Sequence, residues 1–299
     1  MQICSFLPSA TEILYALDLG ESIAGVTFEC DYPSQAREKP VVVNTVLNHG
    51  LSPDEIDRDV MQYASHGDSL YVVNTELLRR IKPELIVTQE LCDVCAVSTS
   101  HLRRALHALS PQPHVLSLTP HNLADVFRDI EAVGTATGTQ QRARELVESL
   151  KERIARVQAK PKAASPKVVC LEWMNPLFNA GHWVPEMVEL AGGSDRLGIR
   201  GEYSVRIEWQ QIFDLDPDVI VVMPCGYNVE KAVQEYRKTT FPSGWQKITA
   251  VRNGRVYAVH ASAYFSRPGP RLVDGVEILY SLFHQDFSLP LPAESWAQA

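Results

Sequence analysis

Three cysteines in short acidic loops carry the most evident chemistry of this sequence. Cys92 and Cys95 form a Cys-x-x-Cys within Glu90-Leu91-Cys92-Asp93-Val94-Cys95, and Cys30 lies in Phe28-Glu29-Cys30-Asp31. Two thiolates at that spacing can chelate zinc or close a redox disulfide. Cys30 would supply a third metal ligand, with Glu29, Glu90, His49 or His66 as a fourth. A structural zinc site usually shows two complete Cys pairs, so free thiols lining a pocket stand beside the metal and redox readings. Cys4 and Cys170 differ: they sit in apolar strand-like runs, where a reduced, buried thiol is the ordinary outcome.

Both loops follow predicted strands, and the elements around them alternate. Ile3–Leu7 reads as a first strand, and Ser9 with Glu12 matches a capping box opening a helix that stops near Gly20. Strands at Ile23–Val26, Leu85–Val87 and Val115–Ser117 are separated by helices, including one ending near Arg80 and one from Asn122 to about Val133. Such alternation predicts a mostly parallel sheet. The segment from Pro40 to Val73, with His49 and His66, reads as an extra flap or a disordered loop. Ala143, Leu146, Val147, Leu150, Ile154 and Val157 recur at helical spacing and predict one long helix. A linker-like stretch, Lys160 to Pro166, ends it.

The second half repeats the first. Lys82-Pro83-Glu84-Leu85-Ile86-Val87 is answered by Asp216-Pro217-Asp218-Val219-Ile220-Val221, each with a helix, a proline, an acid and an apolar strand in that order. Further strands are expected at Lys167–Glu172 and Val256–Val259, and helices at Pro185–Ala191 and Pro270–Phe283. The expected fold class is α/β: two Rossmann-like lobes with mostly parallel sheets, joined by one long α-helix. The expected division is an N-terminal lobe 1–138, a connecting helix 139–160 and a C-terminal lobe 161–299. A single doubly wound sheet is the alternative.

Composition narrows the function. The 299 residues carry a formal net charge of -8, and no basic stripe with interleaved aromatics occurs, which argues against nucleic acid or an anionic membrane as partner. No apolar run is long enough to span a bilayer. The chain as written opens on a strand without a secretory leader. The expectation is therefore a cytoplasmic protein, or a periplasmic one if a leader has been removed. No Gly-x-Gly-x-x-Gly, P-loop, Gly-x-Ser-x-Gly or His-Glu-x-x-His is present, so a binding protein is expected rather than an enzyme.

Several segments together resemble a known family. They are Ser9-Ala10-Thr11-Glu12-Ile13-Leu14, Gly25-Val26-Thr27 with Asp31-Tyr32-Pro33, the Lys82–Val87 strand entry, Trp183-Val184-Pro185-Glu186 through Gly192-Gly193, and Ser266-Arg267-Pro268-Gly269-Pro270-Arg271. They resemble the substrate-binding proteins that deliver cobalamin, haem and ferric siderophores to ABC importers, also called helical-backbone metal receptors. The likeness is strongest to the cobalamin-binding branch. It implies a small-molecule metal chelate held in a cleft between two lobes, with a cobalamin-like corrinoid as ligand, or else haem or a ferric siderophore. It also implies an ABC importer permease as partner. Family members present one docking glutamate per lobe. Glu76 matches in the first half, whereas the second half has Gln210 there, with Glu208 nearby.

A corrinoid or porphyrin is a broad apolar plate with a polar edge, and needs aromatic faces with a few donors. Ligands of open α/β sheets bind beyond the carboxyl ends of strands. The residues in such positions are Phe28, Glu29, Tyr32, Glu90, Trp173, Phe178, His182, Trp183, Tyr203, Tyr227, Tyr264, Phe265 and Arg267. Arg271 is assigned a structural role. Cys30, Cys92 and Cys95 form the candidate metal group, for zinc or iron or for direct ligation of the ligand's own metal. A zinc- or thiol-dependent factor using those cysteines is the remaining alternative.

Overall fold

The computed structural model describes residues 1–47, 53–66, 70–89, 109–162 and 164–299, with backbone alone at 53–54, 56–57 and 64–66. They fall into two compact units: Met1–Pro120 with Ala124–Val147, and His121–Leu123 with Glu148–Ala299. Unit 1 contains β1 (Ile3–Ser5), α1 (Pro8–Ala16), β2 (Ile23–Thr27), β3 (Val41–Thr45), α2 (Pro53–His66), β4 (Tyr71–Val73), α3 (Thr75–Ile81), β5 (Leu85–Gln89) and β6 (His114–Leu118). Its sheet runs β4-β3-β2-β1-β5-β6, parallel except where β4 pairs antiparallel with β3. Every residue of β1 and β5 is buried. Ile3-Cys4 and Leu85-Ile86-Val87 supply the apolar runs that strands covered on both faces require.

Three local expectations change. Pro8 occupies the first turn of α1 and Leu7 is its N-cap, so Ser9 lies inside the helix and makes no capping box. Proline presets the helical φ and has no N–H to satisfy, which lets the helix begin ahead of the serine. The helix ends at Ala16, before Gly20, with Leu17 as C-cap and Asp18 at φ 61°. The two ends of the segment from Pro40 to Val73 belong to the sheet rather than to a flap. Val42 and Val43 are buried in the unit 1 core, and β3 and β4 form one end of the sheet.

Unit 2 contains β7 (Lys167–Met174), β8 (Leu177–Asn179), α6 (Val184–Leu190), β9 (Ser194–Asp195), α7 (Trp209–Leu215), β10 (Val219–Val222), α8 (Val229–Lys238), α9 (Thr249–Arg252), β11 (Val256–Val259), α10 (Ala261–Tyr264), α11 (Leu272–His284) and β12 (Trp296–Gln298). The sheet order is β12-β11-β10-β7-β8, with β9 also on β7. Strands β7, β10 and β11 are parallel, and β8 and β12 are antiparallel additions. Gly192, at φ 88°, lets the chain leave α6 in a left-handed turn whose N–H returns to Glu189.

The two remaining helices are α4 (Leu123–Thr137) and α5 (Gln140–Ala159). Ala143 and Val147 are the buried positions of the unit 1 half of α5, and Leu150, Ile154 and Val157 those of its unit 2 half. Among the described residues no helix is long and apolar enough to cross a membrane.

Candidate functional site

The carboxyl ends of β7, β10 and β11 lie side by side in the unit 2 sheet, with an aromatic residue at or after each. Trp173 is the last residue but one of β7, Tyr227 follows β10, and Tyr264 ends α10 after β11. Trp173 and Tyr227 meet edge to face with ring centroids 5.9 Å apart. The Tyr227 carbonyl accepts the Ser262 N–H at 3.1 Å, which ties the loop after β10 to α10. Arg271 sits 5.6 Å over the Tyr264 ring in a cation–π contact. Phe178, on β8, carries Arg206 over its ring at 5.6 Å.

A second set of rings comes from two loops stitched together by backbone. His182 adopts φ 54°, donates its N–H to the Glu202 carbonyl at 2.5 Å, and accepts from Gly201 at 2.8 Å. Gly181 packs so closely on this strand of loop that an added Cβ would collide with the Ser204 nitrogen, so glycine is required there. The stitching places the exposed Tyr203 ring 5.0 Å from His182, edge to face at 89°. Asn179, fully inside the unit, clamps the same loop twice: its amide donates to the Leu197 carbonyl at 2.6 Å and accepts from the Val205 N–H at 2.7 Å.

Not every predicted residue offers a ring face. Trp183 is 6% exposed and its indole donates to the Phe265 carbonyl at 2.6 Å, and Phe265 is 2% exposed. The pair ties the N-terminus of α6 to the end of α10 from inside unit 2. Arg267, half-buried, lies in the loop between α10 and α11.

The electrostatics follow from burial. Burial, then the neighbouring His121, holds the His182 imidazole below its usual range, so it is neutral at pH 7. Glu172, the residue before Trp173, has its carboxyl pushed up by burial, against hydrogen bonds from the Ser204 side chain and the Gly181 backbone. Glu172, Asn179 and His121 were not anticipated from the sequence. Only the position of Glu172, polar within a β7 run that is otherwise mostly apolar, marked it in advance.

In unit 1, Phe28 is half-buried, its ring 6.5 Å from Tyr71, while Tyr32 is exposed. Glu29 is exposed, with its N–H bonded to the Thr27 hydroxyl at 3.0 Å. Cys30 is 4% exposed, and its Sγ lies 3.0 Å from the Thr11 hydroxyl, which in turn donates to Ser5 at 2.8 Å. Cys30 is therefore held against α1. Glu90, Cys92, Cys95 and His49 lie outside the described residues, as does the His66 side chain. Among the described residues no group of three His, Cys, Asp or Glu side chains could hold a metal ion. Cys4 and Cys170 are buried as expected, and burial pushes the Cys4 thiol up to about 12.

The sequence model described as periplasmic binding protein matches residues 3–263. The chain belongs to this family. Its relatives include an uncharacterized ABC transporter substrate-binding lipoprotein, YvrC, of Bacillus subtilis, 28% identical over 95% of this chain and 80% of the relative. A vitamin B12-binding protein of Vibrio cholerae is 24% identical over 92% of this chain and 86% of its own. Among solved structures, a periplasmic heme-binding protein from Pseudomonas aeruginosa aligns with TM-score 0.74 at 18% identity, over 99% of this chain and 96% of that one. The V. cholerae B12-binding protein BtuF aligns with TM-score 0.67 at 21% identity, over 94% and 96%. These likenesses agree with the two-sheet, mostly parallel fold, and the family consists of binding proteins rather than enzymes.

The positions matched to the family's docking glutamates lie on α3 and α7. Glu76 is exposed in the first turn of α3 and pairs with Arg80. Glu208 is the N-cap of α7 in a capping box with Gln211, and is thereby committed to its own helix. Gln210 bonds to Asp214 at 2.7 Å.

Proposed function

We propose that this periplasmic binding protein captures a cobalamin-like corrinoid on the ring-bearing strand ends of unit 2. The observation carrying this reading is the set of ring pairs itself: Trp173 with Tyr227 at the carboxyl ends of β7 and β10, and His182 with Tyr203 on the loops after β8 and β9. Flat apolar area with a neutral imidazole beside it suits a macrocycle whose edge bears amides. The vitamin B12-binding relatives, matched over nearly the whole chain, support the same ligand.

Haem is the second reading, because neighbours described as heme-binding match the fold at TM-scores of 0.70 and 0.74. Two carboxylates on a porphyrin would call for cations at the margin. Arg206 and Arg271 stack on Phe178 and Tyr264. The corrinoid reading needs no such charge.

Visible titration with cyanocobalamin, cobinamide and hemin separates the two. Saturable shifts with the corrinoids at one equivalent are expected, and saturation by hemin alone overturns the corrinoid reading. Trp173→Ala is expected to weaken binding by about 1–3 kcal/mol, the range for truncating an aromatic anchor. Relatives described as a lipoprotein and as periplasmic proteins support a place outside the cytoplasm and an ABC permease as partner. Glu76 on α3 and the Gln210–Asp214 pair on α7 are the surfaces we assign to that contact.

A further inference from the structure

Glu186 joins two parts of unit 2 that the ring pairs alone leave separate. It lies in the first turn of α6 and is 7% exposed. One carboxylate oxygen, Oε2, accepts the Leu123 N–H at 2.9 Å, and the other pairs with Arg200 at 2.5 Å. Leu123 is the first residue of α4, where the backbone N–H has no acceptor within its own helix. A carboxylate satisfies that donor and is favoured by the positive end of the helix dipole. Arg200 offsets the cost of keeping the charge in a buried place.

Two residues before Leu123, His121 points its ring at Tyr203, with centroids 6.3 Å apart and planes at 81°. The Tyr203 ring meets His182 on the same loop system. His121–Leu123 groups with unit 2, whereas the chain from Ala124 groups with unit 1. The bond from Leu123 to Glu186 thus ties the chain to α6 two residues from His121.

We propose that His121 is a further contact residue of the ligand surface, completing a row with Tyr203 and His182, and that Glu186 is the positioning residue that delivers it. This rests on the ligand surface assigned above. Both imidazoles lie against the same phenol ring, His121 at 6.3 Å and His182 at 5.0 Å from the Tyr203 centroid. Glu172, pinned by Ser204 and Gly181, and the Glu186–Arg200 pair are the charged groups fixed in the neighbouring segments. A flat ligand meeting Tyr203 would touch an imidazole on each side.

The test has one arm that needs no ligand. By proton NMR, His121→Ala is expected to raise the titration midpoint of His182, since a like charge is removed. An unchanged midpoint overturns the proposal. Ring-to-ring cross-relaxation between His121 and Tyr203 should survive Glu186→Gln, which keeps an acceptor for Leu123. It should vanish in Glu186→Ala, provided thermal melting shows that variant folded. Persistence in a folded Glu186→Ala removes Glu186 from the positioning role.

The ligand arm uses hemin and cobinamide. About a tenfold loss of affinity is expected for His121→Ala, as for a peripheral ring contact, with recovery in His121→Phe. Full affinity in His121→Ala also overturns the proposal. If the unaltered protein binds neither probe, the corrinoid reading fails, and the NMR arm still decides the role of Glu186.

Discussion

The strand entries of unit 1 and unit 2 are built from the same few atoms. After α3, Lys82 turns left-handed at φ 53° and Pro83 follows. Glu84 then accepts the Gln2 N–H through its side chain at 2.9 Å and donates its own N–H to the Gln2 carbonyl at 2.8 Å. After α7, Asp216 turns at φ 44° and Pro217 follows. Asp218 accepts the Lys167 N–H at 2.8 Å and donates back at 2.8 Å. The acid closes a ring in both with the start of the neighbouring strand, through Gln2 just before β1 and Lys167 at the head of β7. At the other end of the sheets the described loops differ: after β2, unit 1 packs Cys30, Thr11 and Ser5 into a buried hydroxyl–thiol chain beside Phe28 and the exposed Tyr32, and unit 2 pairs rings with one another after β7 and β10. A repeated frame holds the strands, and these described loops are where the two units diverge.

The two halves of α5 show a comparable difference, and breaking them separately should give the largest effects. In the unit 2 half, Arg153 pairs with both Asp274 and Glu277 of α11, all three mostly buried. Arg153→Ala removes the cation that two mostly buried carboxylates share, and a loss of about 3 kcal/mol in urea denaturation is expected. The unit 1 half is held by close backbone approach: a Cβ on Gly134 of α4 would lie 2.5 Å from the Ala143 Cβ. Gly134→Val should therefore cost about 1–3 kcal/mol by overpacking, against the usual gain from replacing a helical glycine. A neutral or stabilising result would show that α4 and α5 separate easily.

The strand-entry acids rank next. Asp218→Ala removes a half-buried hydrogen bond and should cost about 1 kcal/mol. Glu84→Ala should cost less, because the Glu84 side chain is 65% exposed and water replaces it readily. Equal losses would mean that the ring closure, not its burial, sets the contribution.

This repeat was legible in the sequence because proline, an acid and an apolar run are all local signals. The start of α1 was not, since Pro8 and Ser9 both mark helix starts and only packing chose between them. The β3–β4 end of the sheet was missed because His49 and the acids around α2 outweighed the short Val41-Val42-Val43 run. Ring types after strand ends were readable as a candidate surface. Which of them face outward was not: Trp183 and Phe265 turn inward because the Trp183 indole finds a carbonyl there. His121 and Glu186 escaped notice because their link runs from Glu186 to Leu123 across 63 residues, and no spacing rule reports it.

The smallest expected effect tests the one chemical difference within the repeated turn, Asp216 against Lys82. The Asp216 carboxylate accepts the Thr249 N–H at 2.7 Å and its hydroxyl at 2.8 Å, and these bonds hold its pKa below the ordinary aspartate value. A carboxyl lowered in the folded state contributes stability that is complete above the unfolded value, near about pH 4, and is lost as pH falls through the folded one. Asp216→Asn keeps an acceptor for Thr249 and suits the left-handed backbone, so at pH 7 only a few tenths of a kcal/mol, roughly, should be lost. Between about pH 5 and 3 the variant should lose stability less steeply than the parent. Lys82→Asn should leave the acid slope unchanged, as no carboxylate is present at that turn to titrate. Parallel acid slopes for the parent and Asp216→Asn would assign the acid sensitivity of unit 2 to other carboxylates and leave the two turns equivalent.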